Sequence, residues 1–284
     1  MSNNLGVLVS TEAMDAAALT AFARRLERLG YESLWLPELF GREPIATAGY
    51  LLGQTSTLKI ATGIANIYAR DAYAMAEARQ TLAELSSGRF ILGLGVSNAG
   101  LNGTRGHTWQ MPLPKMRRYL EAMAATAISS LEPEQRAPLY IAAHGPKLQT
   151  LGAAETDGII TYLMPPEHTA TSRARVGKQT TMSVVCPFLA ESDPEVARHK
   201  ARKALKYYLT LDYYHQEWSR LGFTSDDFGS GGSDRLIDTL VAWGDEQALK
   251  DRLAAFTQAG ADRVIVMPFD ATREDGALAV LASA

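Results

Sequence analysis

The sequence predicts a (β/α)8 TIM barrel: eight parallel strands with helices between them and an insertion before the last strand. Three observations predict it. Eight short apolar runs recur along the 284 residues, amphipathic helical stretches alternate with them, and the length suits one such barrel. The runs lack strict apolar/polar alternation, which suits strands covered on both faces.

The first run, Leu5–Val9, precedes a helix whose Leu19, Phe22, Leu26 and Leu29 share one face at three- and four-residue spacing. Gly30 then stands where a left-handed C-cap is expected. The second run, Ser33–Leu36, leads through Pro37 into a loop and a helix starting near Ile45. Leu58–Ile64, Phe90–Leu94 and Leu139–Ala142 are the third to fifth runs. Gly158–Leu163, Met182–Leu189 and Arg263–Met267 are the sixth to eighth. Residues 193–244 exceed what one crossover needs, so they are read as a helical insertion within a single domain, 1–284. The insertion reads as one long helix from Pro194 to about Arg220, a Gly/Ser/Asp loop over Thr224–Ser233, and a helix from Asp234.

Composition narrows the function. Apolar residues make up 46% and charged residues 21%, a globular balance that argues against disorder. The single cysteine, Cys186, rules out an internal disulfide or a cysteine metal cluster and fits a reducing cytoplasm. A net charge of −3 with no basic stripe argues against nucleic acid; the five cations of Arg198–Lys206 read as a solvated helix face. The N-terminus lacks the basic and apolar regions of a signal peptide, and no apolar run approaches ~18 residues, so no membrane partner is expected. The five histidines lack metal-ligand spacing, and no metal site is expected.

Active sites of such barrels form at the carboxyl ends of the strands. That rule selects Pro37, Glu38 and Leu39 after the second strand, and Gly63, Ile64, Ala65 and Asn66 after the third. The fourth strand delivers Gly95, Val96, Ser97 and Asn98, and the fifth Ala143, His144, Gly145 and Pro146. Gly145 and Pro146 open an expected helix, Lys147–Ala154, whose free amides could hold a phosphate; an ordinary strand-to-helix turn fits equally well. Gly93-Leu-Gly95 lacks the third glycine of a dinucleotide fingerprint and reads as a tight turn. His107, in the long loop after the fourth strand, is a candidate acid or base.

At these strand ends the sequence resembles the luciferase-like monooxygenase family, specifically its coenzyme F-420-dependent oxidoreductase branch. The resemblance spans nearly the whole chain. It rests on Gly30-Tyr-Glu-Ser-Leu-Trp-Leu-Pro-Glu38, Ala61-Thr-Gly-Ile-Ala-Asn66, Ser86-Ser-Gly-Arg-Phe-Ile-Leu-Gly-Leu-Gly95, Leu139-Tyr-Ile-Ala-Ala-His-Gly-Pro146 and Val241-Ala-Trp-Gly-Asp245, in that order. It implies a small-molecule oxidoreductase carrying coenzyme F-420 (8-hydroxy-5-deazaflavin), or alternatively FMN, over the carboxyl end of the barrel. It also implies a cis peptide bond at Gly63–Ile64 behind the middle ring, Val96 and Ser97 flanking the ring, and Ala143 to Pro146 on the phosphate tail. Glu38, Asn66 and Asn98 join the implied cofactor-binding set, and the family's habit implies a homodimer.

Two departures exclude the family's sugar-phosphate chemistry. Leu39 stands where a histidine follows the acidic residue, and Asn98 aligns with a catalytic glutamate. Three candidates for proton transfer remain, Glu38, His107 and His144; His107 is expected to carry it, with Glu38 orienting the ring and its burial expected to raise its pKa, and His144 staying with the cofactor tail. Two rivals remain: an FMN-dependent monooxygenase using oxygen, and a non-catalytic flavin-binding protein. Aromatics of the insertion and of Leu101–Pro114 suit either an apolar substrate pocket or plain packing of the helix onto the barrel.

Overall fold

The structure, a computed structural model, describes residues 4–269 and 275–282. The expected strands form at Leu5–Leu8 (β1), Ser33–Leu36 (β2), Lys59–Thr62 (β3) and Phe90–Gly95 (β4). They continue with Leu139–Ala142 (β5), Gly158–Tyr162 (β6), Thr181–Leu189 (β7) and Arg263–Pro268 (β8). Each pairs in parallel with the next, and β8 pairs with both β7 and β1, which closes the barrel. Ala65–Asn66 runs beside the end of β4, and Ala242–Trp243 beside the end of β7.

Side-chain alternation explains why the runs carry no polar face. Leu8, Trp35, Ile91, Tyr140, Ile160 and Ile265 point into the barrel and form one buried cluster. Their neighbours Val7, Leu34, Leu36, Val264 and Val266 point outward into the core beneath the helices. Several helices start where the sequence offers a side-chain acceptor. Asp15, Asp71 and Asp245 each accept from the backbone amide three residues on. Gly30 closes the helix Ala16–Leu29 at φ 83°, as expected.

The insertion corrects one expectation. The single helix from Pro194 to about Arg220 is two, Pro194–Leu205 and Asp212–Arg220, joined through a 3-10 turn at Tyr208–Thr210. No glycine or proline marks the break; packing makes it. Leu209 is buried, Tyr208 meets Tyr162 edge-on at 5.1 Å, and His215 Nε2 donates to the Leu209 carbonyl at 2.8 Å. The expected loop Thr224–Ser233 also contains a short helix, Ser225–Phe228, held by a Thr224/Asp227 capping box. Asp234–Leu240 is helical as expected. Three cations of the first insertion helix are paired locally: Arg198 with Asp238, Arg202 with Asp234, Lys200 with Glu191. Among the described residues no helix is long and apolar enough to cross a membrane.

Candidate functional site at the carboxyl end of the barrel

Glu38 leaves β2 into a buried polar network that ties three strand ends together. Its carboxylate accepts from the Asn66 amide at 2.8 Å, from Arg70 Nη1 at 2.9 Å and from Arg105 Nη1 at 3.1 Å. Asn66, fully buried, donates through Nδ2 to Asn102 Oδ1 at 2.8 Å, and Asn102 Nδ2 donates to the Val96 carbonyl at 2.8 Å. Burial alone would raise the Glu38 pKa. The Arg70 guanidinium, the Asn66 amide and Arg105 outweigh it and hold the carboxyl below its ordinary value. The upward shift expected for Glu38 is therefore reversed: two guanidiniums, unreadable from local sequence, keep it an anion.

The ends of the adjacent strands β3, β4 and β5 form one partly exposed surface. Gly63, Ile64, Val96, Ser97, Asn98, His144, Gly145 and Pro146 all lie on it, whereas Glu38, Asn66 and Ala143 are buried behind it. The Gly63–Ile64 peptide bond is cis. Ile64 packs across Gly95, where an added Cβ would come within 2.5 Å of Ile64 Cγ1. Ser97 adopts a left-handed φ of 58°, uncommon for a residue with a side chain. Asn98 caps the helix Ala99–Thr104 by accepting from Leu101 at 3.0 Å. Its Oδ1 also accepts from the Tyr207 hydroxyl at 2.9 Å. That amide is occupied as a structural acceptor where the resemblance has a glutamate.

After β5, His144 is clamped through its carbonyl, which accepts from Gln149 Nε2 at 2.8 Å and His168 Nε2 at 2.9 Å. Burial, with His168 beside it, pushes the His144 imidazole down to about 3, so the ring is neutral at pH 7. Gly145 then caps the helix Pro146–Glu155 without a side-chain hydrogen bond. Its φ of −84° is open to any residue, so conformation does not require glycine. An added Cβ would lie 2.7 Å from Glu217 Oε1 of the second insertion helix, the tip of a flexible side chain that could move aside. Burial raises the pKa of that carboxylate above its ordinary value, and Arg220 at 3.4 Å offsets this only in part.

The insertion covers these strand ends. Trp218 Nε1 donates to the Leu163 carbonyl at 2.9 Å, and Tyr213 stacks on His144 at 6.3 Å. Tyr214, Trp218 and Phe223 are buried, and Tyr208, Phe228 and Trp243 pack against the same cluster with Leu163 and Leu189, so most of the insertion's aromatics pack it onto the barrel. His107 is exposed, its ring tilted against Tyr68 at 5.8 Å, while its amide donates to the carbonyl of Asn102 in the Glu38 network at 3.0 Å. Sequence reasoning missed Arg70, Arg105, Asn102, Tyr207 and Glu217. The one available signal was chemical: a glutamate at a strand end that becomes buried needs a cation, and both arginines sit in loops after the next two strands. A cleft of about 890 Å³ opens at the opposite end of the barrel, near Arg79, Arg136 and Asp157. There Arg136 and Arg79 both face Asp157, at 2.5 and 3.7 Å.

A sequence profile of the luciferase-like monooxygenase family matches residues 1–263. The 5,10-methylenetetrahydromethanopterin reductase of Methanolobus tindarius is 27% identical over 163 residues, 51% of this chain. That match spans only 50% of the Methanolobus protein's own length. The reductase of the same name from Archaeoglobus fulgidus is 23% identical over 293 residues, 87% of this chain and 88% of that one. An F420-dependent secondary alcohol dehydrogenase, solved with an F420–acetone adduct, shares the fold at a TM-score of 0.78 and 16% identity. That likeness covers 100% of this chain and 98% of the other. Matched by the profile from its first strand to the start of its last, the chain belongs to the luciferase-like monooxygenase family.

Proposed function

We propose that the protein is a coenzyme F-420-dependent oxidoreductase that moves a hydride between the deazaflavin and a small organic substrate. The observation that carries this reading is the continuous surface of β3, β4 and β5 ends. It sets Ile64 across Gly95 on β4, beside β5, which delivers His144 and Gly145. The two archaeal reductases support a reductase over an oxygenase. The bound deazaflavin would supply a ring carbon able to give or take a hydride. Gly63, Ile64, Val96, Ser97 and Asn98 would position the ring, and Ala143 to Pro146 the phosphate chain. Asn66 would hold the ring-side loops in place from behind, together with Glu38.

Proton transfer falls to His107 by the chemistry of its rivals. Glu38 is fixed as an anion by its arginines, and His144 is a buried neutral ring. His107→Ala is expected to lower turnover, followed by deazaflavin absorbance, about 100-fold with F-420 affinity unchanged. Full turnover in the variant would move the proton to water or to a substrate group. Titrating the purified protein with both cofactors tests the whole reading. Affinity for F-420 at least about tenfold above that for FMN is expected. The reverse ratio would make the protein an FMN-dependent monooxygenase.

A further inference from the structure

We propose that Asn98 donates through Nδ2 to a carbonyl oxygen at the barrel mouth, belonging to the bound ring or to the substrate, and that Tyr207 of the insertion turns the amide to present that donor. This rests on the functional reading above and adds to it one atom and one positioning residue.

The two ends of the Asn98 side chain are treated differently. Oδ1 accepts twice, from the Leu101 amide at 3.0 Å and from the Tyr207 hydroxyl at 2.9 Å. A backbone N–H can only donate, so the atom facing Leu101 is the oxygen, and the way round of the amide follows. Nδ2 has no hydrogen-bond partner among the described residues. Asn98 is partly exposed, and Nδ2 is not sealed from solvent, so a ligand can reach it. The Leu101 bond is the ordinary cap of the short helix Ala99–Thr104. The Tyr207 bond comes from a distant part of the chain, and Tyr207 is itself held. Its carbonyl accepts from Thr210 Oγ1 at 2.7 Å and from the Thr210 amide at 3.1 Å. Its ring meets Tyr208 edge-on at 5.8 Å, and Tyr208 seats on Tyr162.

The polarity of the free end selects the ligand atom. An N–H pair takes a lone pair, so a carbonyl oxygen fits, whereas a ligand group that can only donate does not. The glutamate that the resemblance has at this position would present lone pairs instead, so the amide reverses the preference. A neutral acceptor suits it better than an anion. The guanidinium of Arg105, which follows the same helix, is already taken by Glu38 and the Leu39 carbonyl. With both lone-pair sites of Oδ1 filled, the amide can present its donor without first giving up a bond.

The test uses the full chain with F-420 and FMN, and acetone as a carbonyl probe. Asn98→Asp keeps an acceptor for Leu101 and Tyr207 and turns the donor end into an acceptor. Asn98→Ser keeps the helix cap, adds no charge and removes the donor. Thermal melting checks that both variants stay folded. Fluorescence titration measures cofactor affinity, and acetone is then titrated onto the F-420-loaded protein. Asn98→Asp is expected to weaken one of the two steps at least about tenfold, and Asn98→Ser the same step about fivefold. Loss in the cofactor step assigns the oxygen to the ring; loss in the acetone step alone assigns it to the substrate. Tyr207→Phe should weaken that step about threefold in the wild-type chain and add nothing in Asn98→Ser, where the amide it holds is gone. The same loss in both backgrounds would reduce Tyr207 to a structural part and overturn its positioning role. A loss in Asn98→Asp alone would come from the added charge and overturn the donor. So would unchanged cofactor affinity in both Asn98 variants with acetone binding unchanged or absent throughout, while the cofactor reading stood. Failure of the wild-type chain to bind F-420 or FMN would overturn the cofactor reading and this inference with it.

Discussion

Gly93→Ala is expected to destabilise the barrel by about 3 kcal/mol, the upper end of what overpacking usually costs. Gly93 faces the interior at the middle of β4, where an added Cβ would run into the Thr62 carbonyl oxygen and lie 2.8 Å from Ile160 Cδ1. The backbone there cannot yield easily. Thr62 Oγ1 donates to the Gly93 carbonyl at 2.7 Å and accepts from its amide at 2.9 Å, so any shift of Gly93 also breaks this pair. Against a typical total of about 5–15 kcal/mol, the loss is large. It should appear as a lower urea midpoint with an unchanged slope. Gly53→Ala serves as the contrast, because nothing lies within 4 Å of a Cβ there and the site is helical. That change should hold or raise stability. A wild-type midpoint for Gly93→Ala would mean that the barrel interior has room the structure does not show.

Glu38→Gln is expected to cost about 3 kcal/mol at neutral pH, the low end for breaking a buried ion pair. The substituted side-chain carbonyl could still accept from the Asn66 amide, and Arg70 would keep Glu43, but Arg105 would lose its carboxylate. The pH dependence has a definite sign. Folding lowers the Glu38 pKa, so the folded state favours the anion. The contribution is complete above the ordinary glutamate value of about 4.3 and is lost as pH falls through the depressed folded value. The stability gap between wild type and Glu38→Gln should therefore be constant from pH 7 to about 5 and close in acid. A gap that widened in acid would mean Glu38 is protonated in the folded state, and its arginines would need another role.

The strands were legible because each is buried on both faces, and that leaves a local trace of consecutive apolar residues bounded by turns. The candidate surface was legible for the same reason: once strands are counted, their carboxyl ends follow. What stayed hidden depends on residues far apart in sequence. Glu38 meets Arg70 and Arg105 only because the loops after β2, β3 and β4 are neighbours on the closed sheet. Asn98 meets Tyr207 across 109 positions, and nothing local in either segment signals the other. The break after Leu205 was hidden because its cause is Tyr208 seating on Tyr162, a contact with another strand's end. A helical period with no glycine or proline reads as continuous until a tertiary contact stops it.

The double pairing of β8 has a consequence for how the protein is made. Leu5 sits beside Val264, so the contact that completes the barrel joins nearly the two extremes of the described chain. Contacts of such high sequence separation form slowly, because a long loop must close before they reward it. Until Arg263–Pro268 dock, β1 and β7 each present an unpaired ladder of amides and carbonyls to solvent. Such edges are templates for joining another chain. The contacts of the insertion span shorter separations, as between Trp218 and Leu163, and can form before that closure. The vulnerable species during synthesis is thus an open, seven-stranded sheet already wearing its cap, and the last strand ends its exposure to association.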